Sequence, residues 1–592
     1  MPGRGDRGGI KEKPKNAKGT LLRIISYMGD YRPALVLLFI LCISANIGNL
    51  MGPNFAGKAI SAASAGAGKV DMNIVMYYAK CMLAAYLFSG IVGFMVNILM
   101  MRIGRRIGQK MRQDVFNKLM KLPVSYFDKN QAGDIISRVS YDIDVIITSL
   151  STDFTSILTS LVTVAGSFIM MCTISIPLML CMIFTIPLSI LVTRKMSRIT
   201  RPRYSKRSAS YGTMNGFVEE MFSGQKTIIG YANEDKVSED FSRINRNAAD
   251  AYYKADGIGT SMGPLVGTVS NLGLAAIGMG GAILYTKGIV DIGQISSFVL
   301  YSRKFSGPIN EIANIANEIF SALAAAERIF KILDEEEEPA NVPDALVLEN
   351  AQGDVEAKNV DFSYIPGKPI INDLSFKARP GETIAIVGPT GAGKTTIINL
   401  LMRFYDVNSG AIYVDEKESR AYTIESLRYN YAMVLQETWL FNGTIFDNIA
   451  YGKEGATMEE VVTAAKAAHI HNYIMRLPDG YNSIITEDGG NISKGQKQLL
   501  TIARAMLYDT NMLILDEATS NVDTNTEQKV QKAMRSLMKN KTSFVIAHRL
   551  STIQNADHIL VLNHGDVVEQ GTHDELMHMK GFYYNLYASQ FN

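Results

Sequence analysis

Residues Thr383–Phe404 read TIAIVGPTGAGKTTIINLLMRF. The first five are mostly β-branched, which suits a buried strand. Apolar residues then return at Ile397, Ile398, Leu400 and Leu401, at helical spacing. Between the two lies a Gly-rich loop in which Gly388 to Thr395 fits G-x-x-x-x-G-K-[ST]. Strand, loop and helix in that order separate this motif from a chance Gly-rich turn. Such glycines let backbone N–H groups curl around phosphate oxygens, and the helix N-terminus adds positive potential. Gly388, Pro389, Thr390, Gly391, Ala392 and Gly393 would form the cradle for the phosphates of ATP. Lys394 would reach the β- and γ-phosphates, Thr395 would ligate Mg²⁺, and Thr396 would also belong to the nucleotide-binding set.

Further motifs follow. NMLILDEATS (Asn511–Ser520) is an apolar strand delivering two carboxylates. Asp516 suits the Mg²⁺ shell, and Glu517 suits a general base or water-positioning group facing the γ-phosphate. SFVIAHRLST (Ser543–Thr552) is another apolar strand ending in His548, placed to sense the γ-phosphate. GGNISKGQKQLL (Gly489–Leu500) passes from a polar loop into an apolar-faced helix. VEAKNVDFSY, ending in Tyr364, reads as a strand.

The chain has 592 residues, too many for one core. Long apolar runs fall before about Leu323, and the remainder reads as an ordinary α/β domain. Six segments have the roughly 20 apolar residues that a membrane-crossing helix needs: 33–53, 73–101, 150–173, 174–194, 258–285 and 292–315. Basic residues cluster after the second (Arg102, Arg105, Arg106, Lys110, Arg112) and after the fourth (Arg194, Lys195, Arg198, Arg201, Arg203, Lys206, Arg207). The opposite connections are nearly bare of them, so both termini and the two long polar connections are expected in the cytoplasm of a multi-pass cytoplasmic-membrane protein. Those connections are too long for turns, and the spans are expected to continue into the cytosol. LPVSYFDKNQAGDIISR (Leu122–Arg138) predicts a break and a short helix, and TLLRIISYMGDY (Thr20–Tyr31) an amphipathic interfacial helix. The four cysteines lie inside apolar runs and read as packing residues. Nothing points to a nucleic-acid partner.

The sixth segment carries Arg303 and Lys304, about 15 Å below its outer end at 1.5 Å per residue. Charges at that depth face a polar cavity or pair with carboxylates. Ser297, Tyr301, Lys304, Pro308 and Glu311 share one helical face, a candidate lining of a translocation path. The competing reading is purely structural pairing or snorkelling.

Taken together, Tyr364, GPTGAGKT, Gln436 in MVLQETWLF, ISKGQ, LILDEATS, SNVD and AHR resemble the ATPase domain of ABC transporters. With six spans and long cytoplasmic connections ahead of it, the chain resembles an exporter half-transporter of the multidrug and lipid type. The resemblance implies an α-helical membrane domain of six spans followed by an α/β phosphate-loop ATPase domain. The expected divisions are a basic tail 1–19, a membrane domain 20–330, a linker 331–345 and an ATPase domain 346–592. It implies ATP-driven export of amphipathic drugs or lipids, with a lipid flippase or a gating ATPase as alternatives. Tyr364 would stack on adenine, Gln436 would join the Mg²⁺ shell, and Asp523 would reach towards the partner ATPase. Short helices near Phe127 and Ser223 would couple the domains. Such halves work in pairs, each ATP also meeting the ISKGQ helix start of the partner.

The family pattern there is Leu-Ser-Gly-Gly-Gln; this chain has Ile492, Ser493, Lys494, Gly495 and Gln496. A lysine in place of glycine costs about 1 kcal/mol or more if the backbone needs positive φ. Because the chain's own loop, Glu517 and His548 match the family, a heterodimer with a conventionally signed partner is expected, with a homodimer as the alternative.

Overall fold

The computed structural model of the chain describes residues 16–64, 70–183, 185–436, 438–486, 492–516, 524–547 and 550–591. The chain divides into two compact units. One holds the residues up to Leu122 together with Asn130–Glu336, and the other holds Pro123–Lys129 and the residues from Glu337 onward.

The first unit is helical. Asn16 caps α1 (Ala17–Met28) by accepting from the Gly19 N–H, and Thr20, Ile24 and Met28 form its buried stripe. Then come α2 (Arg32–Ala63) and α3 (Met72–Leu119). After the break at Pro123, α4 (Val124–Lys129) belongs to the second unit. A helical rod from Ala132 to Ile174 follows, interrupted by π-turns at Arg138–Asp142 and Ser149–Asp153 and ending in α5 (Phe154–Ile174). The unit closes with α6 (Ile176–Ile183), α7 (Thr185–Ser223), α8 (Glu234–Thr286) and α9 (Ile292–Asp334). A short helix, Gln225–Gly230, follows Ser223, where the sequence predicts one.

Among the described residues, four helical stretches are long and apolar enough to cross a membrane: Ala17–Ala63, Met72–Leu119, Ala132–Ile174 and Glu234–Thr286. The sequence reading expects six. The segment 174–194 is divided between α6 and α7, and Phe184 between them lies outside the described residues. The segment 292–315 forms the first half of α9, where Arg303, Lys304 and Glu311 make it too polar to qualify by composition. The 48 residues of α3 and 53 of α8 run far beyond a hydrocarbon core of about 30 Å.

Two features join α2 to α9. A Cβ on Gly57 would stand 2.5 Å from the Gly293 carbonyl oxygen, so the two backbones touch only because both positions are glycine. One turn earlier, Pro53 interrupts α2. It has no N–H, so the carbonyl of Asn49 loses its helical donor. Side chains of α9 hydrogen-bond to this stretch: Ser297 to the Pro53 carbonyl at 2.8 Å, Tyr301 to that of Leu50 at 2.5 Å, and Lys304 to that of Asn49 at 2.8 Å. Steps of four and three put all three donors on one face.

The second unit is α/β. Strands β1 (Val355–Phe362), β2 (Ile371–Ala378), β4 (Ser409–Val414) and β5 (Lys417–Glu418) form an antiparallel sheet in the order β2-β1-β4-β5. A six-stranded sheet uses β3 (Thr383–Val387), β6 (Tyr431–Val434), β9 (Met512–Asp516), β10 (Thr542–Ile546), β11 (His558–Asn563) and β12 (Asp566–Gly571), in the order β12-β11-β3-β10-β9-β6. Between them in sequence, β7 (Gly443–Thr444) pairs with β8 (Ile484–Ile485). All neighbours in the larger sheet are parallel except β12. Its central strands are buried on both faces: Ala385, Val387, Leu513 and Leu515 enter one core, while Ile384, Ile386, Met512 and Ile514 enter another. Double burial explains their continuous apolar runs.

Candidate functional site

Parallel pairing brings several strand ends to one edge of the sheet. The phosphate loop follows β3, Asp516 ends β9, and Gln436 lies two residues past β6. Ligands of open α/β sheets bind outside these carboxyl ends. Asp516 is 8% exposed, while Gln436 is exposed. Glu517, Asp523 and His548 lie outside the described residues, as do residues 487–491 ahead of ISKGQ.

The loop fits a phosphate group. Gly393 caps α10 (Lys394–Leu401) at φ 103° with no side-chain cap, so the first N–H groups of the helix remain available. Gly388 adopts φ 156°, and a Cβ there would collide with the carbonyl of Leu562. The cradle is therefore bare backbone, open to anions. The ammonium of Lys394 donates to the carbonyls of Gly388 (2.7 Å) and Pro389 (3.0 Å), lying across the mouth of its own loop. Burial pushes the Lys394 pKa below the usual lysine value, and the negative charge of Asp516 opposes that shift. Thr395 is exposed at the helix start, with Asp516 and Gln436 among the described oxygen donors suited to a hard cation.

Tyr364 is 37% exposed and held from behind. Its hydroxyl donates to Thr396 at 3.3 Å and accepts from Asn399 at 3.0 Å. Its ring meets Phe362 and Tyr405 edge-on, with centroids 4.8 and 4.9 Å away. Tyr405 also donates to Asp128 on α4. Neither Tyr405 nor Asp128 was legible as a site residue, because only folding brings them together.

The helix α11 (Lys494–Tyr508) begins with a capping box: the Gln496 N–H donates to the Ser493 hydroxyl at 3.4 Å, and the Ser493 N–H to the Gln496 side chain at 2.9 Å. Lys494 is the first helical residue and is absent from the left-handed positions. The backbone strain that the sequence reading allowed for is therefore absent, since any L-residue takes this conformation. Lys494 is exposed and Gly495 buried. Further along, Arg504 donates to the carbonyls of Asn448 (2.8 Å) and Trp439 (3.2 Å), tying α11 to the segment that follows Gln436.

In the first unit, Tyr301 is fully buried against α2, Arg303 is exposed, and Glu311 accepts from Ser160 at 3.3 Å. Lys304 also donates to the side-chain oxygen of Asn49.

Two family models match the chain: ABC transporter transmembrane region over residues 35–309 and ABC transporter over residues 371–520. The chain is 45% identical over 478 residues to a Mycobacterium bovis fatty acid ABC transporter ATP-binding/permease protein, covering 81% of this chain and 75% of that one. It is 34% identical to the ATP-dependent lipid A-core flippase of Syntrophus aciditrophicus, covering 86% and 84%. Among solved structures, a bacterial Atm1-family ABC exporter with ATP bound matches with a TM-score of 0.75 and 29% identity, covering 95% of this chain and 98% of that one. The chain binds nucleotide, couples ATP hydrolysis to transport and is an integral membrane protein. It belongs to the ABC transporter family, as an exporter-type half-transporter with one membrane region and one ATPase domain.

Proposed function

We propose that this ATP-driven exporter moves amphiphiles with lipid-like tails across the cytoplasmic membrane, working as a dimer whose ATP sites are shared. The observation that carries the nucleotide part is the bare-backbone cradle between β3 and α10, with Lys394 across its mouth. Gly388 and Thr390 to Gly393 hold the phosphates through N–H groups, Pro389 having none. Lys394 leaves its carbonyl partners to contact the β- and γ-oxygens. Tyr364 stacks on adenine, kept in place by Thr396, Asn399 and Tyr405. Thr395, Asp516 and Gln436 would hold Mg²⁺. When bound, it would supply positive charge against the phosphates. Glu517 orients the attacking water and His548 contacts the γ-phosphate.

Ser493 and the Gly495 amide meet the ATP of the partner subunit. ATP binds the closed ATPase pair better than the open one, and this difference in affinity drives the membrane domain outward. Relatives whose names specify fatty acid and lipid A-core support the substrate class. Lys494 supports pairing with a different subunit bearing a conventional signature. A long cation at the first helical position leaves the fold intact, yet alters the surface offered to the partner's ATP. Both termini and the ATPase domain lie in the cytoplasm.

The test is transport and ATPase activity in proteoliposomes, with the chain alone and with its genomic neighbour. Transport of labelled fatty acid or lipid, abolished by Lys394→Ala, is expected. Unstimulated ATPase with every amphiphile offered would overturn the substrate reading, and robust ATPase from the single chain as a homodimer would overturn the heterodimer.

A further inference from the structure

We propose that Lys304, Asn49 and Tyr86 form a receptor for the anionic headgroup of an amphiphile within the membrane unit. The proposal rests on the amphiphile-export reading and gives its substrates a charge.

The argument begins with what Lys304 does structurally. Pro53 deprives the Asn49 carbonyl of its helical partner, and Lys304 replaces it at 2.8 Å. Repair of that kind requires a donor but no charge. One and two turns away, Tyr301 and Ser297 serve the carbonyls of Leu50 and Pro53 with neutral hydroxyls. Lysine exceeds the structural need by one positive charge, in a segment where charge is costly.

Nothing among the described residues balances that charge. The contacts of Lys304 are the backbone and side-chain oxygens of Asn49 and the ring of Tyr86, 5.7 Å from its nitrogen. All are neutral. Asn49 uses two of the three ammonium donors, leaving the third. Glu311 lies seven residues further along α9, roughly 10 Å away along the axis, and accepts from Ser160. Arg303, beside Lys304, adds positive charge. Tyr301, one turn earlier on α9, is fully buried, whereas Tyr86 is 40% exposed. An anion approaching past Tyr86 would take the free donor and neutralise the ammonium, and its tail would rest on the surrounding apolar helices. Carboxylates and phosphates share the chemistry required.

The experiment uses the full chain, with its partner if one is needed, in phosphatidylcholine proteoliposomes. ATPase stimulation is titrated with oleate, oleyl phosphate and oleyl alcohol. Either anion should half-stimulate at a concentration roughly tenfold below the alcohol. Lys304→Met should raise the anion value about tenfold while leaving the alcohol value in place, and Lys304→Arg should restore discrimination. Asn49→Asp places a carboxylate beside the lysine and should abolish discrimination as well, which keeps the test decisive if Lys304→Met fails to fold. Whichever anion discriminates identifies the headgroup. Stimulation that ignores charge, or a Lys304→Met shift equal for acid and alcohol, would overturn the receptor alone. No stimulation by any of the three would overturn the amphiphile reading and the receptor with it.

Discussion

The ring of Tyr405 meets that of Tyr364 edge-on at 4.9 Å, while its hydroxyl donates to Asp128 of α4 at 2.5 Å. One tyrosine thus touches both Tyr364, proposed above to stack on adenine, and the short helix within the first long connection. Burial, the hydrogen bond to Asp128 and that residue's negative charge all push the Tyr405 pKa above the usual tyrosine range. It remains a donor wherever the protein works. Because the folded value exceeds the unfolded one, the contribution of this contact is complete below about pH 10 and is lost as pH rises towards the folded value. Tyr405→Phe keeps the ring contact and removes the bond. Nucleotide affinity should change less than about threefold, while stimulation of ATPase by transport substrate falls severalfold; paired nucleotide-binding and stimulated-ATPase assays check this.

Lys394 yields a prediction of the opposite sign. Its pKa is lowered by burial, so between the folded and unfolded values the unfolded chain holds more protons, and nucleotide-free stability rises with pH in that window. Phosphate stabilises the ammonium, so ATP binding should take up protons at alkaline pH, and ATP affinity should weaken as pH climbs through the window. Calorimetric titration in two buffers of different ionisation enthalpy measures the uptake. Lys394→Ala should remove hydrolysis and the proton linkage together.

The start of α11 separates fold from function. Ser493→Ala breaks the capping box and should cost about 1 kcal/mol in thermal or denaturant unfolding of the ATPase domain. Lys494→Gly leaves the box in place. It should alter stability by no more than about 1 kcal/mol, from propensity and helix-dipole effects, while raising hydrolysis in the assembled dimer. The rise requires a catalytic acid in the partner, so its absence in the heterodimer would place that acid elsewhere.

At the first π-turn, Arg328 grips Asp142 with two hydrogen bonds, 2.6 and 2.8 Å long. The aspartate side chain is 6% exposed. Asp142→Asn retains the shape and removes the charge. Because the arginine is partly solvated, the expected loss is about 1–3 kcal/mol, below the cost of a fully buried broken pair. A fall in the melting temperature of the detergent-solubilised protein is the readout.

The ATPase half was legible where a function is encoded locally. Gly388–Thr395 is contiguous, and its strand and helix are written on either side of it. Asp516 could be placed because four apolar residues force a buried strand immediately before it. Lys494 was legible as an anomaly but not in its consequence, since only the position of the helix start shows that its φ is ordinary. Tyr405 with Asp128, and Lys304 with Asn49, were illegible as pairs. Each joins residues more than 250 positions apart, and no local pattern marks the carbonyl that Pro53 sets free. The membrane helices divide likewise. Apolar length identifies α2 and α3, whereas α9 is stabilised by hydrogen bonds and glycine contacts that hydropathy does not count.

The paired helices α7 and α8 pack chiefly against each other, with smaller contacts to α6 and α9. Among the described residues of the first unit, the two helices take most of their lateral support from each other. A second chain would add support to such a pair. The pair should therefore be the first region cut by limited proteolysis of the isolated subunit, and the region most protected once the dimer assembles.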